Sequence, residues 1–375
     1  MRTAAPLLAA LSIACAVPTS TEPLTHEAYV WQRVWTPAVH EAVAETDMEG
    51  LAALGAEVSW VDGEPEVFRV ALPDVVEGVA IRIAVPPEDV DVGVALSPLV
   101  AELSTAYPEA EMQLDMDLPT RRLSSYAGWI HALKAESSGP VVFTALPTWL
   151  GSRAFTNAAR ASDGFVLQVH WFDPTDPLGP LLQDDAAAAV RRAARLGVPF
   201  RVALPAYAHR VWLRGDELVG IAGEQEVDPP AGATAHTVMA DPERVAALLS
   251  GWQLEHPRAL TGVFWFRLPT SQDTLVWHRE TLAAVRDGEP LVSGAVTDFE
   301  ATDSGARNVC IRSNGSLPWT PVALSVSDAS VAGGRLGWIW SPAARSFLPP
   351  AHAPTLPPGE RSCVGWIRRG APHDQ

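Results

Sequence analysis

The chain has 375 residues, 47% of them hydrophobic and 19% charged, which describes a folded globular protein and excludes a disordered one. Its formal net charge of −17, with no cluster of basic residues, excludes nucleic acid and a phospholipid surface as partners. Lys134 is the single lysine; together with abundant Ala and Pro this marks a GC-rich genome and carries no chemistry.

The N-terminus, "MRTAAPLLAALSIACAVPTS", has one positive charge at Arg2, an apolar run too short to span a bilayer, and then small residues with Pro, Ser and Thr. That is the layout of an export signal, so the mature protein is expected to be periplasmic or secreted. "SIAC" at 12–15 resembles a bacterial lipobox, in which Cys15 becomes a lipid-modified first residue and the only attachment to a membrane. Cleavage by ordinary signal peptidase at a nearby A-x-A-like site is the other reading. Residues 1–15 are thus taken as signal and lipobox, and 16–27 as linker.

From 28 to 288, eight short runs rich in Val, Ile, Phe and Trp alternate with Ala-, Leu- and Arg-rich stretches. The runs are "AYVWQRVW" (28–35), "AEVSWV" (56–61), "VAIRIAV" (79–85), "EMQLDMD" (111–117), "VVFTAL" (141–146), "GFVLQVHWF" (164–172), "FRVALPAY" (200–207) and "GVFWFRL" (262–268). Helical periods are expected at 97–107, 121–136, 152–162, 184–196, 241–255 and 275–286, the fifth opening on Asp241 as cap with Pro242 behind it. This repetition predicts an α/β fold, a closed (β/α)8 TIM-like barrel. Residues 64–72 read as an extra strand, and 212–225 as a hairpin turning at Arg214, Gly215 and Asp216 on the face where such barrels keep their sites.

After 291 the pattern changes to short alternating strands with Gly, Pro, Asn and Ser turns, predicting a small all-β, sandwich-like C-terminal domain over 291–375. With Cys15 taken by lipid, Cys310 and Cys363 remain as an even pair that an oxidising compartment allows to form a disulfide; two unrelated buried thiols are the alternative.

In a closed barrel one face of each strand packs on helices and the other points inward. Alternation puts Val30, Val34, Ile81, Ile83, Val85, Leu114, Met116, Leu167, Val169, Phe200, Val202, Leu204, Phe264 and Phe266 on the helix side. It leaves Trp31, Arg33, Arg82, Gln113, Asp115, Asp117, Gln168, His170, Arg201, Tyr207, Trp265 and Arg267 for the inside. Of these, Arg33, Arg82, Gln113 and Arg201 read as a buried polar network deep in the barrel, since buried charges need partners.

Residues at the C-terminal ends of strands are where barrel enzymes assemble sites. Asp117, Asp115, His170 and Asp173 are the candidate catalytic groups. Asp115, deeper and closer to arginine, is expected to stay ionised and to raise the pKa of Asp117, which then serves as an acid. Such a pair suits cleavage of a glycosidic bond, where the leaving oxygen needs a proton and the cationic transition state needs a nearby negative charge. Trp31, Arg33, Trp149, Gln168, Tyr207, Trp265 and Arg267 are candidate substrate-binding residues, with Trp171 a further aromatic platform. His170, Asp173 and the paired aspartates have no recognised metal-ligand spacing. No G-x-S-x-G, P-loop, G-x-G-x-x-G or H-E-x-x-H occurs, so neither metal nor cofactor is expected.

"YVWQRVW", "QLDMDLPTRRLSSYAGWIHALK", "FTALPTWL", "LQVHWFDP", "PFRVALPAY" and "PGERSCVGWIRR" resemble the bacterial family known as domain of unknown function 3142, over most of the chain after the signal. In outline that family is similar to barrel glycoside hydrolases. The D-x-D of the fourth strand also resembles chitinase-like family 18 enzymes, whose motif D-x-x-D-x-D-x-E ends in the acid Glu. Setting Asp115 and Asp117 on its last two aspartates places Pro119 where that Glu stands. The resemblance thus implies either that Asp117 substitutes as the acid or that the site no longer hydrolyses. The leading expectation is an exported, lipid-anchored glycoside hydrolase acting on a polysaccharide or amino-sugar polymer. A non-catalytic glycan-binding barrel or a cell-envelope scaffold is the alternative, and the sequence implies no oligomeric state.

Overall fold

The computed structural model describes residues 17–368 apart from 75, 224–226 and 328, so the expected export signal and the expected lipid site at Cys15 lie outside the described residues. Eight parallel strands close into a barrel. They are β1 Thr25–Val30, β2 Gly50–Val61, β3 Gly78–Ile83, β4 Glu111–Asp115, β5 Val141–Ala145, β6 Gly164–Gln168, β7 Phe200–Pro205 and β8 Leu260–Phe266. β1 pairs with both β2 and β8, which seals the ring and leaves no exposed edge in it. Each of the eight sequence runs falls on one of these strands.

The helices are α1 Pro37–Glu45, α2 Val92–Ala106, α3 Tyr126–Ala135, α4 Arg153–Ala161, α5 Ala186–Ala194, α6 Pro242–Leu254 and α7 Arg279–Asp287. Side chains set several of their starts: Asp241 accepts from the backbone N–H of Glu243 at 2.9 Å, and Ser152 from that of Phe155 at 3.0 Å. α2 begins five residues before the expected 97, capped by Asp91, and carries Pro98 inside it. α1 was not expected from its period, although Pro37 at its first turn is a start signal.

Among the described residues no helix follows β2 before β3. Instead β2 runs past the barrel rim and turns back through Glu64–Arg69, an antiparallel partner along Ala56–Val61. The extra strand expected at 64–72 is the return arm of this hairpin. A second insertion follows β7, where Ala208–Arg214, Glu217–Ala222 and Thr234–Met239 form a three-stranded antiparallel sheet. Its first turn lies at Gly215 and Asp216, as read, with Gly215 at φ +63°.

The apolar core lies between strands and helices, where Ile81, Leu114, Met116, Phe143, Phe165, Leu167, Phe200 and Val202 are buried. One strand departs from the expected alternation. In β8, Trp265 and Val263 join the helix-side core, while Phe264 joins Tyr29 and Trp31 inside the barrel, its ring 4.5 Å from that of Tyr29. "GVFWF" is apolar throughout, so its composition does not say which parity faces which side. Val34 and Val85 were also placed on the helix side; they lie beyond the ends of β1 and β3 and are 68% and 46% exposed.

The C-terminal region holds a four-stranded sheet, in the order Ala295–Ala301, Arg307–Ser313, Arg361–Arg368 and Val331–Gly334, and a three-stranded one built from Leu324–Ser325, Ser346–Leu348 and Ile339–Ser341. Both sheets contribute to one small core that includes Val309, Ile311, Phe347, Val364 and Ile367. Cys310 and Cys363 are bonded across adjacent strands and close a loop of 53 residues.

Candidate functional site

The barrel interior is layered along its axis. At the N-terminal end, Arg201 of β7 reaches Glu27 of β1 at 2.9 Å and Glu111 of β4 at 2.5 Å, and its guanidinium lies 4.7 Å from the ring centre of Phe264. Gln113 donates to Glu111 at 2.8 Å and accepts from the Tyr29 hydroxyl at 2.7 Å. This is the buried polar network expected for Arg201 and Gln113, with Glu27 and Glu111 as the partners that make its charge tolerable. Arg33 and Arg82 do not belong to it. Arg33 lies beyond β1, half exposed, and is paired with Glu57 through two hydrogen bonds of 2.7 and 2.9 Å. Arg82 is exposed at the C-terminal end of the barrel.

At that end a cleft crosses the mouth in two compartments that share Arg82, Asp115 and Asp117. The strict alternation of "QLDMD" puts Gln113, Asp115 and Asp117 on the inner face of β4 and its extension, with Leu114 and Met116 in the helix-side core. Asp115 accepts a hydrogen bond from the Thr144 hydroxyl of β5 at 2.7 Å. Burial raises its pKa above the ordinary carboxylate value, while the charge of Arg82 and the Thr144 bond pull the other way. Asp117 is open to the cleft but closely surrounded by protein; burial, seconded by the charge of Asp115 and opposed by Arg82, raises its pKa to about 6. Arg82 therefore acts on both carboxylates through its charge.

One compartment, about 440 Å³, is walled by aromatic and imidazole side chains, among them Trp31, Trp171, His170, Tyr207, His209 and Phe266, with Gln168 and Thr144 toward its floor. The ring nitrogen Nδ1 of His170 lies 3.1 Å from the Tyr207 hydroxyl, while Nε2 of His170 and Nε1 of Trp31, both in nearly fully buried residues, have no hydrogen-bond partner among the described residues. Burial, aided by the neighbouring His209, depresses the pKa of His170 to about 3, and burial depresses that of His209 to about 4. Both imidazoles are thus neutral at physiological pH, and His170 offers a hydrogen-bonding nitrogen and no titratable proton there. The other compartment, about 590 Å³, is formed by the β2 hairpin and β3.

The cleft brings together Asp115, Asp117, His170, Trp31, Gln168, Tyr207 and Trp171. It does not include the others expected there. Trp149 is fully buried under α3 and α4, its indole N–H given to the Leu118 carbonyl at 2.9 Å; with that one polar atom satisfied, the large ring is worth more in the core than at the mouth. Trp265 is fully buried on the helix side against His26 and Trp277, the consequence of the β8 parity. Arg267 is buried beside the mouth and held by Asp273 at 2.6 Å. Asp173 sits on an outer loop, where the hydroxyl and N–H of Thr175 bind its carboxylate at 2.6 and 2.8 Å and hold its pKa low, the opposite of what an acid requires. Arg33 is not part of the cleft lining, although its partner Glu57 lines the hairpin compartment.

Thr144, His209 and the hairpin face were not anticipated. Thr144 had a readable signal, a single polar residue inside the apolar run "VVFTAL". Among the described residues the one cluster with metal-ligand geometry is Glu300 with Cys310 and Cys363, and the disulfide consumes both thiols.

Residues 90–271, which span β4 to β8, match the family model described as domain of unknown function DUF3142. Solved structures with a similar fold include the spore cortex-lytic enzyme SleL of Bacillus megaterium QM B1551, at 13% identity over 71% of this chain and 74% of that one, TM-score 0.48. A glycoside hydrolase family 18 N-acetylglucosaminidase from Paenibacillus barengoltzii matches at 11% identity over 71% of this chain and 100% of that one, TM-score 0.45. The family 113 β-mannanase AaManA from Alicyclobacillus acidocaldarius matches at 13% identity over 71% and 90%, TM-score 0.38. No curated protein matches the sequence.

Proposed function

We propose that this chain is an exported glycoside hydrolase that acts on a polysaccharide or amino-sugar polymer, with Asp117 as the proton donor and Asp115 as the charge that meets the transition state. The observation that carries this reading is the unequal treatment of two carboxylates on one face of β4 and its extension. Asp115 is hydrogen bonded by Thr144, whereas Asp117 has a pKa near 6 and opens on the cleft. Below that pH Asp117 carries a proton to give to a glycosidic oxygen. As the C–O bond breaks, positive charge grows on the sugar carbon beside the Asp115 carboxylate; water then adds there and returns its proton to Asp117. His170 and Trp31, each with an unpartnered nitrogen in the wall, would bind sugar hydroxyl or acyl groups and orient the ring.

Export is supported by the Cys310–Cys363 disulfide, which persists in oxidising compartments, and by the N-terminal pattern; lipid attachment at Cys15 belongs to the same proposal. Among the described residues no helix is long and apolar enough to cross a membrane. The test is a polysaccharide and chromogenic-glycoside screen of wild type beside Asp117→Asn. A second reading, a barrel that binds glycans without cleaving them, is favoured by Pro119 in place of the family 18 acid; binding without turnover would select it.

A further inference from the structure

The hairpin that replaces the barrel's second helix has two unlike faces. Trp60 donates its indole N–H to the Ala84 carbonyl at 2.8 Å, and Arg69 forms two 2.8 Å bonds to Glu102 of α2, so the hairpin is anchored to the barrel wall. On its other face, Phe68 stands opposite Glu57, Glu57 beside Arg82, and Arg82 beside Asp115. Register partners share a face, so these four side chains form one row across four adjacent strands, from the hairpin edge to the candidate catalytic carboxylates. Ser59 and Glu66 form the next rung, 3.3 Å apart. Arg33 holds Glu57 from outside and neutralises it. Phe68 is 51% exposed, yet it faces a cavity of about 590 Å³, within the range of ligand sites.

We propose that this hairpin face is a second sugar-binding subsite, which takes the residue on the far side of the cleaved bond from the histidine-lined compartment. It would stack one face of a neutral pyranose on Phe68 and accept hydroxyl hydrogen bonds at Glu66 and Ser59. An exposed aromatic ring flanked by polar side chains that keep free acceptors suits a sugar, which has an apolar C–H face and a rim of donors. The assignment rests on the glycan-hydrolase reading and deepens it, because a site with sugars on both sides of Asp117 cuts the bond between two linked sugars and not one to a non-sugar group.

The test is calorimetric titration of the full-length protein with soluble β-1,4-linked hexasaccharides of N-acetylglucosamine, glucosamine, glucose and mannose. Phe68→Ala is expected to weaken the hexasaccharide that wild type binds by at least tenfold, and Glu66→Gln by about threefold or more. Arg69→Gln, on the opposite face of the same strand, should leave affinity unchanged, which separates a subsite from a merely intact hairpin. Should Phe68→Ala lower the melting temperature, the Glu66→Gln titration decides. Unchanged affinity in both cleft-face variants, in a protein that binds and cleaves glycan, overturns the subsite alone. Wild type that binds none of the four overturns it together with the glycan reading.

Discussion

Asp115 and Asp117 stand on the same face of β4 and its extension, but among the described residues only Asp115 receives a side-chain hydrogen bond, at 2.7 Å from Thr144. Both line the cleft, but the neighbour with the bond is the less exposed one, and the neighbour without it has a pKa near 6. In the proposed mechanism this difference in environment divides an acid from a charge, and it yields a pH dependence. Hydrolysis should fall as pH rises through about 6, because Asp117 loses the proton it must donate. A pH profile of kcat/KM measures this; a plateau extending to pH 8 would assign the acid elsewhere.

The same shift makes Asp117 a cost to the fold at neutral pH. A carboxyl with a folded pKa above its unfolded value contributes stability below the unfolded value, and this is lost as pH rises through the folded one. Asp117→Asn should therefore unfold later than wild type at pH 7.5, by about 1 kcal/mol, well under the full linkage value because solvent reaches the group. The two proteins should converge near pH 3.5 in thermal melts.

His209 works in the reverse sense. Burial lowers its pKa from 6.5 to about 4, so the unfolded chain takes up its proton first and stability is lost as pH falls from about 6.5 toward 4. His209→Gln should narrow the gap between the melting temperatures at pH 7 and pH 4.5, while His170 keeps part of the acid sensitivity.

Buried charge and cleft charge respond differently to removal. Arg201→Ala leaves Glu27 and Glu111 together without their cation at the barrel floor, and should cost about 3 to 5 kcal/mol in urea unfolding. Asp115→Asn keeps a partner for Thr144 and strands no buried arginine, since Arg82 is exposed, so it should cost about 1 kcal/mol or less. This reverses the simplest expectation from the sequence, in which Asp115 pairs with a buried Arg.

Reduction of Cys310–Cys363 should destabilise the C-terminal sheets by roughly 2 to 5 kcal/mol. Thiol titration of the denatured, non-reduced protein should find neither cysteine free.

The barrel and the orientation of the two aspartates were legible because alternation of polar and apolar residues in "QLDMD" permits one parity only; the reverse would bury both charges among helices. β8 was not legible, because a run of apolar residues fits either parity, and Trp265 went to the wrong side with it. Trp149 failed for a related reason: its position near a strand end says nothing of whether helices cover it. Arg82 was read as buried because it alternates correctly, but the strand ends one residue later and its side chain emerges into the cleft. The hairpin face of the cleft depends on how far β2 overshoots the rim, a property of register between distant segments that local pattern does not encode.

The most direct measurement is hydrolysis of a glycan that wild type cleaves, repeated with Asp117→Asn at equal concentration and pH 5.5, with binding followed in parallel by calorimetry. The account predicts that the variant binds the glycan within a few-fold of wild type, melts no earlier, and loses at least a hundredfold in kcat. Turnover at the wild-type rate in the folded variant would contradict it.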